Sequence, residues 1–461
     1  MSTNTRRGFI SGFGAGVAAF AGAPFGNPAF GALAGTNEDI LISVFLRGGM
    51  DSLNLVLPIA GADRGYYEAA RPELRVPTSG SNRALPLNAQ LGIHSATHSW
   101  PSGTPAPPAT LYELYQSGKL ALVVAAGMHL GNRSHFDSMN YVELGTPGSV
   151  TTPTGWLTRH LASATNLPPE ITIPSLAVGN LRQDSLRGST DTLNMTSPDS
   201  FSLDVGPWQW RDAQRSALRN LYSSAGDWLH ESGVSALDAV DIIELFVSGG
   251  YDPSNGAVYP SGTLGGYFQT VAQMIKTGLG LRVAAVDFGG WDTHNNQGTG
   301  GGGYFFDQVR ELSRALAALY TDLNGSGANN YISRVTIVVQ SEFGRRFREN
   351  ADRGVDHGHG GLMMVLGGKV NGGVHGTWPG LSNDQLFEGA DLEVTTDYRR
   401  VLSEILIRRL GNNHLMDVFP GYTDYSPLGV VQGVDLPPIY GPDIFMDGFE
   451  TGDASRWSSS S

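Results

Sequence analysis

The chain has 461 residues, 62 of them glycine, and no cysteine, which excludes disulfides, thiolate metal sites and cysteine nucleophiles. A formal charge of -13, with only 16% charged residues and no basic stripe, argues against a nucleic-acid partner. The length suits one large domain or two ordinary ones, with ample core.

The N-terminus pairs Arg6 and Arg7 ahead of a Gly/Ala-rich, mildly apolar stretch to Phe20, and Ala32-Leu33-Ala34 supplies a small-x-small cleavage signal. Residues 1–34 read as a twin-arginine export leader cut after Ala34, the plainer alternative being a basic tail. The export machinery is then a partner, and the expected location is periplasmic or secreted in a Gram-negative bacterium. No other segment approaches the ~18 consecutive apolar residues of a spanning helix, so no transmembrane segment is expected in the mature chain.

Ile40 to Leu46 reads as a buried strand ending at Arg47-Gly48-Gly49-Met50-Asp51, where Asp51 either reaches a metal or caps a helix. Pro58 to Pro108 reads as loops and short turns, and His94 and His98 within it as non-ligands. Leu111 to Leu120 predicts a helix and Leu120 to Ala126 a second buried strand, leading into Asn132-Arg133-Ser134-His135-Phe136-Asp137. Ser134 at a strand-to-helix junction is placed to be a nucleophile, because a helix N-terminus favours developing negative charge. It serves equally as a helix cap. His135 is a candidate base, but no G-x-S-x-G elbow exists, which weakens a Ser-His-Asp hydrolase.

The section from Thr151 to Gly233 reads as scaffold and substrate-site walls, with a helix from Gln209 to Ser223; Leu237 to Phe246 and Gly262 to Leu279 are further helices. Leu281 to Phe288 is another buried strand, after which Asp292 and His294 stand two apart and can point to one side of an extended loop. Tyr304 to Leu323 is an amphipathic helix. Val335 to Val339 is a β-branched buried strand that stops at Gln340-Ser341-Glu342, and Asp356-His357-Gly358-His359 follows. Polar residues thus recur at the ends of successive strands and should converge on one rim of a mostly parallel sheet. Imidazoles with carboxylates suit zinc first, with manganese or iron as alternatives. Leu362 to Leu366 predicts a strand, Gly367 to Val374 a hairpin and Thr395 to Leu410 a helix. Residues 35–435 are the expected domain, and 436–461 a separate tail that resembles the sorting or processing tags of some exported proteins, the plainer alternative being a disordered end.

In order, FLRGGMDSLN, NRSHFDSMNYVE, DFGGWDTHNNQ and SEFGRRFREN…DHGHGG, together with the leader, resemble the DUF1501 family of exported bacterial proteins. That family is similar to the alkaline phosphatase-like and sulfatase-like superfamily. The resemblance implies an α/β fold, a mostly parallel central sheet flanked by helices, with one or two divalent ions on one rim. It implies that Asp51 and Glu342 hold one metal, that Asp292 and His294 hold the other, that His357 or His359 closes the set, and that Ser134 is the nucleophile. The superfamily often has a histidine where this chain has Phe343, which cannot ligate; either His357 supplies that imidazole or one metal position is degraded.

The leading expectation is therefore an exported metal-dependent hydrolase of phosphate or sulfate esters, acting on a small-molecule or polymer substrate, with Ser134 attacking and Arg133, Arg345 or Arg346 clamping oxyanion oxygens. The alternatives are a non-catalytic exported binding or assembly protein on the same fold and a metal-independent serine hydrolase.

Overall fold

A computed structural model describes residues 36–99, 107–168, 171–201, 208–247 and 250–440. The expected leader and most of the expected tail lie outside these residues. In chain order the strands are β1 (Ile40–Leu46), β2 (Val56–Pro58), β3 (Leu85–Pro86), β4 (Leu91–Ile93), β5 (Leu120–Gly127), β6 (Ser175–Val178), β7 (Thr192–Met195), β8 (Val283–Phe288), β9 (Val335–Gln340), β10 (Gly361–Gly367), β11 (Gly373–His375) and β12 (Thr396–Asp397).

Nine of these strands form one sheet in the order β11-β5-β10-β9-β1-β8-β6-β7, with β12 beside β5. β1 pairs in parallel with both β8 and β9, and β6 in parallel with β8 and β7. β10 is antiparallel to both of its neighbours, β9 and β5. Two reversals restore direction, so β5 runs the same way as β9, and β10 alone runs against the sheet.

The central strands are buried on both faces, which is why they read as unbroken apolar runs. On one face Ile40, Ile42, Val44 and Leu46 join Phe268, Val271, Leu312 and Leu316 of the helices Thr263–Lys276 and Tyr304–Leu323. On the other face Leu41 and Phe45 join Leu157, Leu402 and Ile405 of the helices Trp156–Ser163 and Tyr398–Arg408. The period-2 alternation of β1 thus divides one strand between two cores. The molecule is a mixed α/β fold with a large, mostly parallel central sheet flanked by helices. Among the described residues no helix is long and apolar enough to cross a membrane.

Three local expectations fail. The segment expected as loops holds a helix, Gly61–Ala70, and a small sheet in which Val56 pairs with Ile93. These strands are too short to show alternation, and their order comes from burying Leu57, Leu91 and Ile93. Likewise β6 and β7 emerge from a stretch read as scaffold with one helix. The expected hairpin after β10 does not form: β11 crosses to pair in parallel with β5.

His160, on the helix Trp156–Ser163, is buried, and its Nδ1 accepts from Asn412 Nδ2 at 2.9 Å. Burial pushes its pKa down to about 4 from the ordinary value near 6.5. The neutral ring therefore stabilises the fold above pH ~6.5, and this contribution is lost as the pH falls toward 4. Thermal melts between pH 7 and 4 should show a falling midpoint, with a shallower slope in His160→Gln; equal slopes would refute the assignment.

Candidate metal centre

The reversed strand explains how distant segments meet. β1, β5, β8 and β9 all deliver their carboxyl ends to one rim. Because β10 runs the other way, it begins at that rim and brings Asp356 to Gly360 there. The polar tail of each strand is exposed to the others only because the sheet orders them so.

Three imidazoles from three loops converge on one carboxylate oxygen. Asp292 Oδ1 lies 3.1 Å from His294 Nε2, 3.4 Å from His135 Nε2 and 3.5 Å from His357 Nε2. His294 Nε2 lies 2.8 Å from His357 Nε2. Donors tetrahedrally placed at metal bonds of about 2.0–2.1 Å are separated by about 3.3 Å, so these spacings are those of a small divalent ion's ligand shell. His135, Asp292 and His357 all offer ligand atoms within 4.8 Å of one another.

Hydrogen bonds fix the tautomers. His135 Nδ1 donates to Glu342 Oε1 at 2.6 Å, His294 Nδ1 to Asp356 Oδ1 at 2.9 Å, and His357 Nδ1 to the Arg133 carbonyl at 2.8 Å. A carboxylate or carbonyl only accepts, so each Nδ1 carries the proton, and in the neutral form of each ring the Nε2 lone pair faces inward. This is the outer-shell pattern of metal-binding histidines. One proton shared between His294 and His357 would relieve that pair alone. His135 Nε2 is buried with no hydrogen-bond partner, and a cation at the centre would satisfy it together with Asp292 and His357. The residues therefore fit a metal ion.

The surroundings tune the charges. Hydrogen bonding to Glu342 raises the His135 pKa against the opposing effect of burial. Burial lowers that of His357, with His135 and Arg345 adding to it. Burial opposes charge on Asp292, but the hydrogen bond and charge of Arg345, with His294 and His135 beside it, hold its carboxyl below the usual range. Phe343 floors the site: its ring centroid is 4.8 Å from that of His135 and 5.3 Å from that of His357. Gly48 has φ +117°, and a Cβ there would stand 2.5 Å from the Asp292 nitrogen, so only glycine lets its N–H reach Glu342 Oε1 at 2.9 Å.

The site residues read from the sequence divide. Asp292, His294 and His357 meet at the centre. Glu342 stands behind His135. Asp51 is elsewhere: its Oδ2 accepts from Arg71 Nη1 at 2.6 Å and from Gln297 Nε2 at 2.7 Å. His359 is also apart, buried and stacked on Phe387 at 3.9 Å. Arg345, read as a clamp for substrate oxygens, is fully buried; it donates to the Gly49 carbonyl at 2.6 Å, to Val355 at 2.9 Å, to Gly48, and to Asp292 Oδ1 at 2.5 Å. Its nitrogens are turned inward, where they tie loops together. Ser134 caps the helix His135–Leu144, its Oγ accepting from Asp137 N at 3.4 Å. Arg133 is gripped by Asp391 Oδ2 through Nε at 2.9 Å and through Nη2, and Nη2 also reaches Glu388 Oε2 at 2.7 Å. Its Nη1 has no partner among the described residues. His135 as a ligand was not anticipated; its position just past a buried strand, like Asp292 and Glu342, was the signal.

A family model described as "Protein of unknown function (DUF1501)" matches residues 269–413, which include Asp292, His294, Glu342 and His357 but not His135. No curated protein matches the chain.

Elemental mass spectrometry of the purified protein should find one equivalent of a divalent metal, lost in Asp292→Ala and in His357→Ala. Glu342→Gln, which weakens the support of His135, should bind the ion about 10–100-fold less tightly. A metal-free native protein that takes up no ion on reconstitution would remove the centre.

Proposed function

We propose that this chain is an exported, metal-dependent hydrolase of phosphate or sulfate esters, built on an alkaline phosphatase-like fold. One observation carries the reading: the Nε2 atoms of His135, His294 and His357 face the Asp292 carboxylate while each Nδ1 is tied to an acceptor. A bound divalent ion, zinc first by the chemistry of this donor set, would polarise the ester and stabilise charge on its leaving oxygen. Among the described residues one group of such side chains comes together, His135, Asp292 and His357, which favours one ion over two.

The protein's own groups support the chemistry around it. The helix His135–Leu144 starts at the centre, and the first-turn amides of a helix have no intrahelical acceptor, so they attract an oxyanion. Arg133 is held rigidly on one side by Asp391 while Nη1 stays available, so a substrate oxygen can be gripped without ordering a loose side chain. Among the described residues Ser134 Oγ makes only the long bond from Asp137 N, which leaves it available as the nucleophile. Its neighbours on either side are the clamp and a ligand. The twin-arginine leader suits such a protein, because that route carries folded chains and a metal can be loaded before export.

The test is turnover of aryl phosphate and aryl sulfate esters by the metal-loaded protein. Activity should vanish on chelation and return with metal. Ser134→Ala should lower kcat by at least about a thousandfold, a barrier increase of about 4 kcal/mol. Arg133→Ala removes one charge-assisted bond of about 1.5–3 kcal/mol and should lower kcat/KM about 10–150-fold. Full metal occupancy with no ester turnover would sink the hydrolase and leave a binding protein.

A further inference from the structure

The register of β1, β8 and β9 puts Ser43, Asp287 and Gln340 on one face of the sheet, where side chains two apart on a strand share a side. Glu143, on the helix that His135 opens, and Gln183 and Ser185 help to wall off a largely enclosed space of about 210 Å³ with these three. Its walls stand too close together to admit a water molecule. Asp287 Oδ1, Gln183 Oε1 and Gln340 Oε1 are buried with no hydrogen-bond partner among the described residues. Gln183 is oriented by its Nε2, which donates to the Val178 carbonyl at 3.3 Å. Arg47 takes up other oxygens, through Nη1 to Glu143 Oε2 at 2.8 Å and through Nε to Asp287 Oδ2 at 2.9 Å. Glu143 Oε1 accepts from Ser185 N at 3.2 Å. Two carboxylates against one guanidinium leave one negative charge in excess, and burial pushes the pKa of both carboxyls up against the pull of Arg47. Orphaned buried oxygens call for a partner that supplies positive charge. A proton on one carboxyl would serve one oxygen and leave the other two.

We propose that this space is a second cation site, which binds a bare sodium ion through Asp287 Oδ1, Gln183 Oε1 and Gln340 Oε1, with Glu143 Oε1 and the Ser43 hydroxyl beside them. The donor set is oxygen alone, which suits hard cations and sets the site apart from the imidazole-rich centre. Size and charge choose among these cations. A bare sodium ion is smaller than water, whereas potassium is about as large. Magnesium keeps several of its waters, for which there is no room. Calcium would turn one excess negative charge into one excess positive charge in a buried place. The site stands independently of the hydrolase reading. Its walls nevertheless continue into the metal centre, since Gln340 precedes Glu342 by two residues and Arg47 adjoins Gly48, whose N–H supports Glu342.

The experiment compares thermal melts of the metal-loaded protein in sodium, potassium and choline chloride at one pH and equal ionic strength, with a calcium chloride arm. Sodium should raise the midpoint by about 2 °C or more over potassium and choline, because a ligand of the folded state alone stabilises it. Gln340→Met and Gln183→Met each remove one oxygen at nearly constant volume and should abolish the difference. Sodium NMR of the wild-type protein keeps the test independent of how the variants fold: the sodium line should broaden on adding protein, and potassium should not reverse the broadening. Equal midpoints in sodium and potassium together with an unbroadened line overturn the site. A sodium effect that survives both substitutions overturns its location. Stabilisation by calcium with none by sodium overturns the choice of ion.

Discussion

One buried guanidinium holds the site in register. Arg345 takes carbonyls from the loop after β1 (Gly48 and Gly49), from the loop before β10 (Val355) and from Trp291 after β8, and its remaining reach goes to Asp292 Oδ1. Taking a guanidinium out of water costs several kcal/mol, and only a full set of acceptors offsets it. Here that set is the backbone of three loops. Each loop is thereby prevented from drifting, and the carboxylate at the hub of the histidines is aimed and kept ionised by the same group. Rigid support of this kind is what separates a set of ligands that is merely present from one that is organised.

A second guanidinium does parallel work one step away. Arg71 is fully buried and bonds Asp51 and Asn54, and it also takes the carbonyls of Arg346 and Phe347. It anchors the chain just after Arg345 to the start of the rim. Arg133, by contrast, sits at the surface end of the same arrangement, its backbone carbonyl orienting His357 and its side chain fixed by Asp391. The three arginines differ in what they leave over. Arg71 and Arg345 spend their nitrogens on the protein, and Arg133 keeps one outward.

Much of the frame was legible because buried parallel strands and amphipathic helices carry strong local patterns. β1 and the helix Tyr304–Leu323 fall where the pattern placed them, and β5, β8, β9 and β10 are recognisable as apolar runs. Short strands were not legible: Val56–Pro58 and Leu91–Ile93 exist through each other and have no periodicity of their own. The site was legible in kind, since Asp292, His294 and His357 lie past strand ends in a glycine-rich setting. Its membership was not. Whether a strand-end carboxylate faces a metal or an arginine depends on what a distant segment brings, and Asp51 meets Arg71 from the end of the helix Gly61–Ala70. His135 looked like a base beside a serine because its true neighbours are remote in sequence.

That remoteness has a kinetic consequence. Arg133 and His357 are 224 residues apart, and His135 and Glu342 are 207 apart. No fragment of the chain holds the ligand set, and β5 reaches its place only after the reversed β10 has been inserted between it and β9. Pairing over such separations is slow, because loop closure is paid before the contacts reward it. An ion captured by His135, Asp292 and His357 would therefore bind only the finished sheet. It would act as a late-set rivet, opposing the separation of β5 from the strands across β10 and slowing unfolding far more than it speeds folding.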